Sequence, residues 1–127
     1  MENNSDLSLE WVTEEQIRTD ILDTFDYNGE TQKITYTTKE FSAVCPFSGL
    51  PDLATVVVTY IPSDKCIELK SLKLYFVSYR NVGMYQENIT SRIYRDLYQL
   101  LTPKHLTIKT IYATRGGIDS ECEVSSD

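Results

Sequence analysis

The sequence predicts an α+β domain in which a four-stranded antiparallel sheet carries two helices on one face. Three observations predict it. Two segments rich in β-branched and aromatic residues come first, two segments with helical spacing follow, and two further strand-like segments close the chain. Clusters of proline, glycine and asparagine separate the segments. The length, 127 residues, suits one such core and leaves no room for a second domain.

Residues 1–30 read as an acidic, polar N-terminal arm, packed loosely or against a neighbour. A weak helical pattern runs over Trp11–Leu22 (Trp11, Ile17, Ile21, Leu22). Residues 31–127 read as the single folded domain. Gln32–Val44 is rich in Thr, Tyr, Ile and Phe with partial alternation, which suits a strand. Cys45-Pro46-Phe47-Ser48-Gly49-Leu50-Pro51-Asp52 must be an irregular loop, because two prolines and a glycine fall within it. Leu53–Ile61 is almost continuously apolar and β-branched, the pattern of a buried strand. Pro62-Ser63-Asp64 is a turn.

Leu72, Tyr75, Phe76 and Tyr79 stand at i, i+3, i+4 and i+7, which makes Ser71–Tyr79 an amphipathic helix. Asn81-Val82-Gly83 ends it. Glu87–Leu101 is the clearest helix, with Ile89, Ile93, Leu97, Leu100 and Leu101 on one face and Pro103 just beyond its end. Leu106–Tyr112 alternates as a strand, Arg115-Gly116-Gly117 turns, and Ile118–Val124 returns antiparallel. Such a sheet leaves open edges, which oligomerisation would cover.

Composition excludes several functions. Lys and Arg number 12 against 19 Asp and Glu, a formal net charge of −7. A chain this acidic lacks the basic face that direct nucleic-acid binding needs, and an anionic membrane surface would repel it. No apolar run approaches the ~20 residues of a bilayer span, and the polar, acidic N-terminus is not the pattern of a signal peptide. Three cysteines without export signals point to free thiols in a reducing cytoplasm. A single histidine, His105, and no CxxC spacing leave no metal site to predict.

The candidate chemistry begins at Cys45. A cysteine is usually a small buried hydrophobe, but this one sits where a strand meets a proline-fixed loop. Its neighbours in sequence include no cation, so its thiolate would be stabilised by residues that the fold supplies, such as Lys70, Lys73 or Arg115. Asp52 ends the same loop. It reads either as a turn-capping carboxylate or as a general acid held protonated by apolar surroundings. In Glu68-Leu69-Lys70-Ser71-Leu72-Lys73-Leu74-Tyr75, Ser71 could simply cap a helix. The free N–H groups of that helix start, with Lys70 and Lys73 on one face, could also bind a phosphate. Glu87, after Gln86, could be a first-turn carboxylate or, if buried, a bidentate acceptor for a purine-like edge. Arg115-Gly116-Gly117 could be a plain hairpin turn or a phosphate contact.

Together these motifs resemble the NADPH-dependent 7-cyano-7-deazaguanine reductases, the nitrile reductases of queuosine biosynthesis, in their short single-module form. The residues that carry the resemblance are Cys45-Pro46, Ser48-Gly49, Pro51-Asp52, Glu68-Leu69-Lys70-Ser71-Leu72-Lys73-Leu74-Tyr75, Tyr79-Arg80-Asn81, Glu87 and Arg115-Gly116-Gly117. The resemblance implies a tunnelling fold that assembles into a multi-subunit barrel, a homo-oligomer with active sites at subunit interfaces. It implies that Cys45 adds to the nitrile carbon to give a thioimide and that Asp52 donates a proton. Ile67, Glu68, Leu69, Gln86 and Glu87 would hold the deazapurine substrate. NADPH would be the cofactor, its phosphates meeting Lys70, Ser71, Lys73 and Arg115. Gln86 stands where the family often has histidine; an amide can hydrogen-bond substrate but cannot relay a proton at neutral pH.

Two rivals differ in class. An archaeosine-type amidinotransferase would use the same thioimide on Cys45 but add ammonia without NADPH; the Lys70–Lys73 string and the net charge of −7 argue against it. A catalytically silent structural subunit of the same fold would have no use for the intact Cys45, Asp52 and Glu87.

Overall fold

The computed structural model describes residues 10–127. Its six strands are β1 (Thr24–Asp26), β2 (Ile34–Val44), β3 (Pro51–Ile61), β4 (Lys65–Ile67), β5 (His105–Arg115) and β6 (Ile118–Ser125). The helices are α1 (Leu69–Val77) and α2 (Gln86–Leu101). β2, β3, β5 and β6 form one antiparallel sheet in the order β2-β3-β5-β6. This is the predicted α+β arrangement. Side chains alternate along β3, so Ala54, Val56, Val58 and Tyr60 are buried on one face. Leu106, Ile108, Thr110 and Tyr112 of β5 continue that face. α2 lays Ile89, Ile93, Leu97 and Leu101 upon it, and α1 adds Leu72, Tyr75 and Phe76. The opposite face of the sheet leaves Leu53 and Ile111 exposed.

Three features depart from the sequence reading. First, α1 begins at Leu69 rather than Ser71, because Glu68 caps it. Both Glu68 carboxylate oxygens accept backbone N–H groups, from Lys70 at 2.9 Å and Ser71 at 2.8 Å. Second, a two-stranded ribbon, β1 with β4, pairs Thr24–Asp26 with Lys65–Ile67. Strands of three residues are too short to show a period. Third, the helical pattern expected over Trp11–Leu22 resolves into two single 3-10 turns, Glu14–Gln16 and Thr19–Ile21. The described part of the expected arm packs on the domain: Ile17 is 6% exposed and belongs to the core. The reading of residues 1–9 lies outside the described residues.

Among the described residues no helix is long and apolar enough to cross a membrane.

Candidate active site

The loop after β2 is closed by its own backbone. Cys45 N–H donates to Leu50 O at 2.9 Å and Gly49 N–H donates to Cys45 O at 2.8 Å, which extends the β2–β3 ladder one step past Val44. Ala43 pairs with Asp52 across that ladder. Cys45 lies two residues beyond Ala43, so strand alternation turns its side chain to the face that Asp52 occupies. Asp52 is 5% exposed.

Arg115 completes the group. Its guanidinium pairs with the Asp52 carboxylate. The Asp52 surroundings are therefore buried, as expected, but not purely apolar. Regular alternation from Tyr112 would send Arg115 to the other face of the sheet. The β5–β6 register shifts between Tyr112 and Arg115, and that irregularity turns the side chain toward Asp52. Gly116 and Gly117 make the turn at φ of 60° and 78°, values that only glycine adopts freely.

These neighbours tune the thiol. Burial raises the pKa of Cys45, but the N–H groups of Phe47 and Ser48, the Ser48 hydroxyl and the Arg115 charge more than offset it. The net position is below that of an ordinary thiol. Phe47 N–H lies 3.4 Å from the Cys45 Sγ. The cation that sequence neighbours could not supply thus comes from β5.

The start of α2 sits over the same end of the sheet. Ser120 hydroxyl donates to Gln86 Oε1 at 2.8 Å. Ser120 pairs with Tyr112, and Tyr112 with Ala54, two residues from Asp52. With its carbonyl oxygen occupied, Gln86 keeps its amide N–H groups free as donors. Phe47 at the loop tip packs on Tyr85, with ring centroids 6.1 Å apart. Glu87 is exposed in the single chain, not buried. The phenol of the buried Tyr112 resists ionisation first because of burial, with the nearby Glu87 charge adding to it. Cys45, Asp52, Gln86, Glu87 and Arg115 therefore share one end of the sheet.

The remaining predicted residues do not join them. Ile67 is 1% exposed and its N–H donates to the Tyr60 hydroxyl at 3.0 Å. Tyr60 is eight strand residues from Asp52, about 26 Å along the sheet. Ile67, Glu68, Leu69, Lys70, Ser71 and Lys73 thus lie toward the far end. The free helix-start amides expected as an anion site are taken by Glu68. Ser71 is turned inward: its hydroxyl accepts from Asp23 N–H at 3.0 Å and donates to Glu68 O at 2.7 Å.

Leu69, Lys70 and Lys73 stay exposed. Between α1 and β2, a cavity of about 160 Å³ is lined by Lys73, Arg80, Leu69, Phe76, Val77 and Tyr36, among others. Among the described residues Lys70, Lys73 and Arg80 form no ion pair. Arg80 stands beside Lys73 because of how α1 lies against β2, which no spacing in the sequence encodes.

The family model described as QueF-like protein matches residues 51–127. The NADPH-dependent 7-cyano-7-deazaguanine reductase of Thermotoga petrophila (strain ATCC BAA-488 / DSM 13995 / JCM 10881 / RKU-1) is 52% identical over 111 residues, covering 87% of this chain and 81% of that one. The protein of the same name from Chlorobium luteolum (strain DSM 273 / BCRC 81028 / 2530) is 44% identical over 111 residues, covering 86% and 96%. A crystal structure of the archaeosine synthase QueF-Like in the apo form superposes with a TM-score of 0.67, over 79% of this chain and 96% of that one. At 19% identity that likeness shows the fold, which is the tunnelling fold. On the strength of the family model and the reductases, this chain is a member of the QueF-like family of NADPH-dependent 7-cyano-7-deazaguanine reductases.

Proposed function

We infer that the protein reduces the nitrile of 7-cyano-7-deazaguanine to the aminomethyl group of 7-aminomethyl-7-deazaguanine with NADPH, a step of queuosine biosynthesis. The observation that carries the chemistry is a thiol at the end of β2 turned to the face of a buried carboxylate, Asp52, that the exposed Arg115 pairs with, the same cation lowering the thiol pKa.

The Cys45 thiolate adds to the nitrile carbon while the nitrogen takes a proton, giving a covalent thioimide. Asp52, on the same face, would take the proton that the Cys45 thiol loses and pass it to that nitrogen, with water replacing it for the later protonations. NADPH would supply the hydrides, one from each of two molecules per turnover and four electrons in all, to the former nitrile carbon. Between the two reductions the C–S bond breaks and its electron pair returns to Cys45, which Arg115 and the Phe47 and Ser48 N–H groups receive as thiolate. Glu87 accepts N–H groups of the deazaguanine edge, and Gln86 donates to it.

The other cluster suits the cofactor. Lys73 and Arg80 line the cavity beside Glu40, and Lys70 stands exposed one residue beyond Leu69; all three cations are without an ion pair among the described residues and suit its phosphates, and Leu69, Phe76 and Val77 offer an apolar wall for a flat base. Lys70 and Lys73 follow Ile67, which is held on Tyr60 about 26 Å along β3 from Asp52, whereas Arg80 adjoins the 81–84 stretch bonded to Val44; a second copy of the chain would bring its lysines to the thiol. The exposed Leu53 and Ile111 face of the sheet and its open edges β2 and β6 suit such a homo-oligomer. Three free cysteines suit the reducing cytoplasm.

The test is NADPH oxidation, followed by its absorbance, when 7-cyano-7-deazaguanine is added. Loss of absorbance is expected. Bound substrate without NADPH oxidation, but with ammonia incorporated, would favour the amidinotransferase reading instead. Cys45→Ala is expected to abolish both turnover and the covalent adduct; an adduct seen by intact mass in that variant would remove Cys45 from its role.

A further inference from the structure

The N-terminal segment has no part in the chemistry above, yet it reaches the loop that carries the nucleophile. Val12 N–H donates to Asn81 O at 2.8 Å and Gly83 N–H donates to Val12 O at 2.9 Å, a parallel bridge between Val12 and Val82. On the other side of the same stretch, Val44 N–H donates to Val82 O at 3.0 Å and Met84 N–H to Val44 O at 3.4 Å. Residues 81–84 are therefore the middle of a three-part ladder. One outer member is the N-terminal segment and the other is the residue immediately before Cys45.

The Trp11 indole lies against Gly83, in the middle member of that ladder. A methyl group on Gly83 would fall 2.6 Å from the indole Nε1 and 2.9 Å from Cγ, closer than any side chain tolerates. Glycine is required at this position by the ring's approach. Trp11, Gly83 and Tyr85 also line, with Pro46 of the cysteine loop, a cavity of about 520 Å³. The segment is anchored behind Trp11. Arg92 holds Glu14 at 3.1 Å and Asp96 at 2.8 Å, and Thr19 and Tyr75 donate to the same Asp96 carboxylate at 3.1 and 2.7 Å. Asp96 is buried, so this network ties the segment to both helices.

We propose that Trp11 is a positioning residue for Cys45: its indole clamps Gly83 beside Val44 and so sets where the Cys45 sulfur stands relative to Asp52 and Arg115. The proposal rests on the reductase reading for its kinetic consequences, but the geometry of the thiol can be read without substrate. A loop held only at its two strand ends would sample orientations in which the sulfur leaves its N–H donors and cation. The 81–84 stretch, pinned from outside by Trp11, removes that freedom. The same stretch continues into Tyr85, Gln86 and Glu87, so one clamp orients nucleophile and substrate-binding residues together.

The experiment compares the full-length wild type, Trp11→Ala and Trp11→Phe, each checked for folding by thermal unfolding. Two properties are read. One is the pH dependence of Cys45 alkylation by iodoacetamide, resolved from Cys66 and Cys122 by peptide mass. The other is the rate of adduct formation with 7-cyano-7-deazaguanine. Trp11→Ala is expected to move the alkylation midpoint upward and slow adduct formation by about ten- to a hundredfold, the cost of a misplaced reacting atom. KM for NADPH is expected to stay unchanged, and Trp11→Phe to recover most of the loss. A folded Trp11→Ala with the wild-type alkylation profile and adduct rate overturns the proposal. Should Trp11→Ala not fold, Trp11→Leu is judged by the same two criteria. Absence of any adduct in the wild type would instead overturn the reductase reading, which the substrate-free alkylation profile does not depend on.

Discussion

Cys45 and Asp52 show how little a reactive residue owes to its own identity. Burial works against the Cys45 thiolate, and the Phe47 and Ser48 N–H groups and Arg115 reverse the balance. Removing the cation therefore has a defined sign. In Arg115→Ala the thiolate loses one stabilising charge, so its pKa rises toward the ordinary thiol value of about 8.5. The pH midpoint of Cys45 alkylation is expected to move up, and the rate at neutral pH to fall; an unmoved midpoint would show that the backbone donors act alone. The candidacy of Cys45 and Asp52 was legible because prolines and a glycine mark their loop. The partnership with Arg115 was not, because it depends on an irregularity in β5–β6 pairing sixty residues away, as numbered from Asp52 to Tyr112.

The elements carry a second set of consequences. α1 was legible from Leu72, Tyr75, Phe76 and Tyr79, but its start was not. Ser71 and Glu68 are both competent caps, and the choice fell to Glu68 because Ser71 is held by Asp23 from the N-terminal segment. Glu68→Ala is expected to cost about 1 kcal/mol, measured by urea unfolding. A loss indistinguishable from zero would mean water replaces the cap without penalty. The exposed side of the same helix makes a separate prediction. Lys73→Ala, and Arg80→Ala beside it, are expected to raise KM for NADPH by about tenfold with kcat nearly unchanged, the pattern of lost ground-state binding. A fall in kcat at constant KM would place these cations at the reacting atoms instead. The β1–β4 ribbon had no such signal in the sequence, since three residues carry no period.

At the level of the molecule, thiol, carboxylate and guanidinium stand at one end of the sheet, while Lys70 starts α1 toward the other and Lys73 and Arg80 follow along the cavity between α1 and β2. A site shared between copies predicts complementation. Mixing Cys45→Ala with a Lys70→Ala/Lys73→Ala protein, under conditions that let subunits exchange and at NADPH well below the raised KM, is expected to restore part of the NADPH oxidation that each lacks alone at that concentration. Mixed assemblies pair an intact thiol from one chain with intact cations from another. No recovery after demonstrated exchange would mean that each chain serves its own site.

Local information was enough for the order of the four main-sheet strands and the two helices, the single core and the short motifs around Cys45, Glu68 and Glu87. Each of those is written in spacing along a few residues, in hydrophobic period or in turn chemistry. Folding settled the rest: Arg115 on Asp52, Ser71 turned inward, Trp11 on Gly83, and the separation of thiol from lysines. Those outcomes depend on strand register and on which distant segments meet, and a register is selected by the whole core at once rather than by any stretch that lies within it.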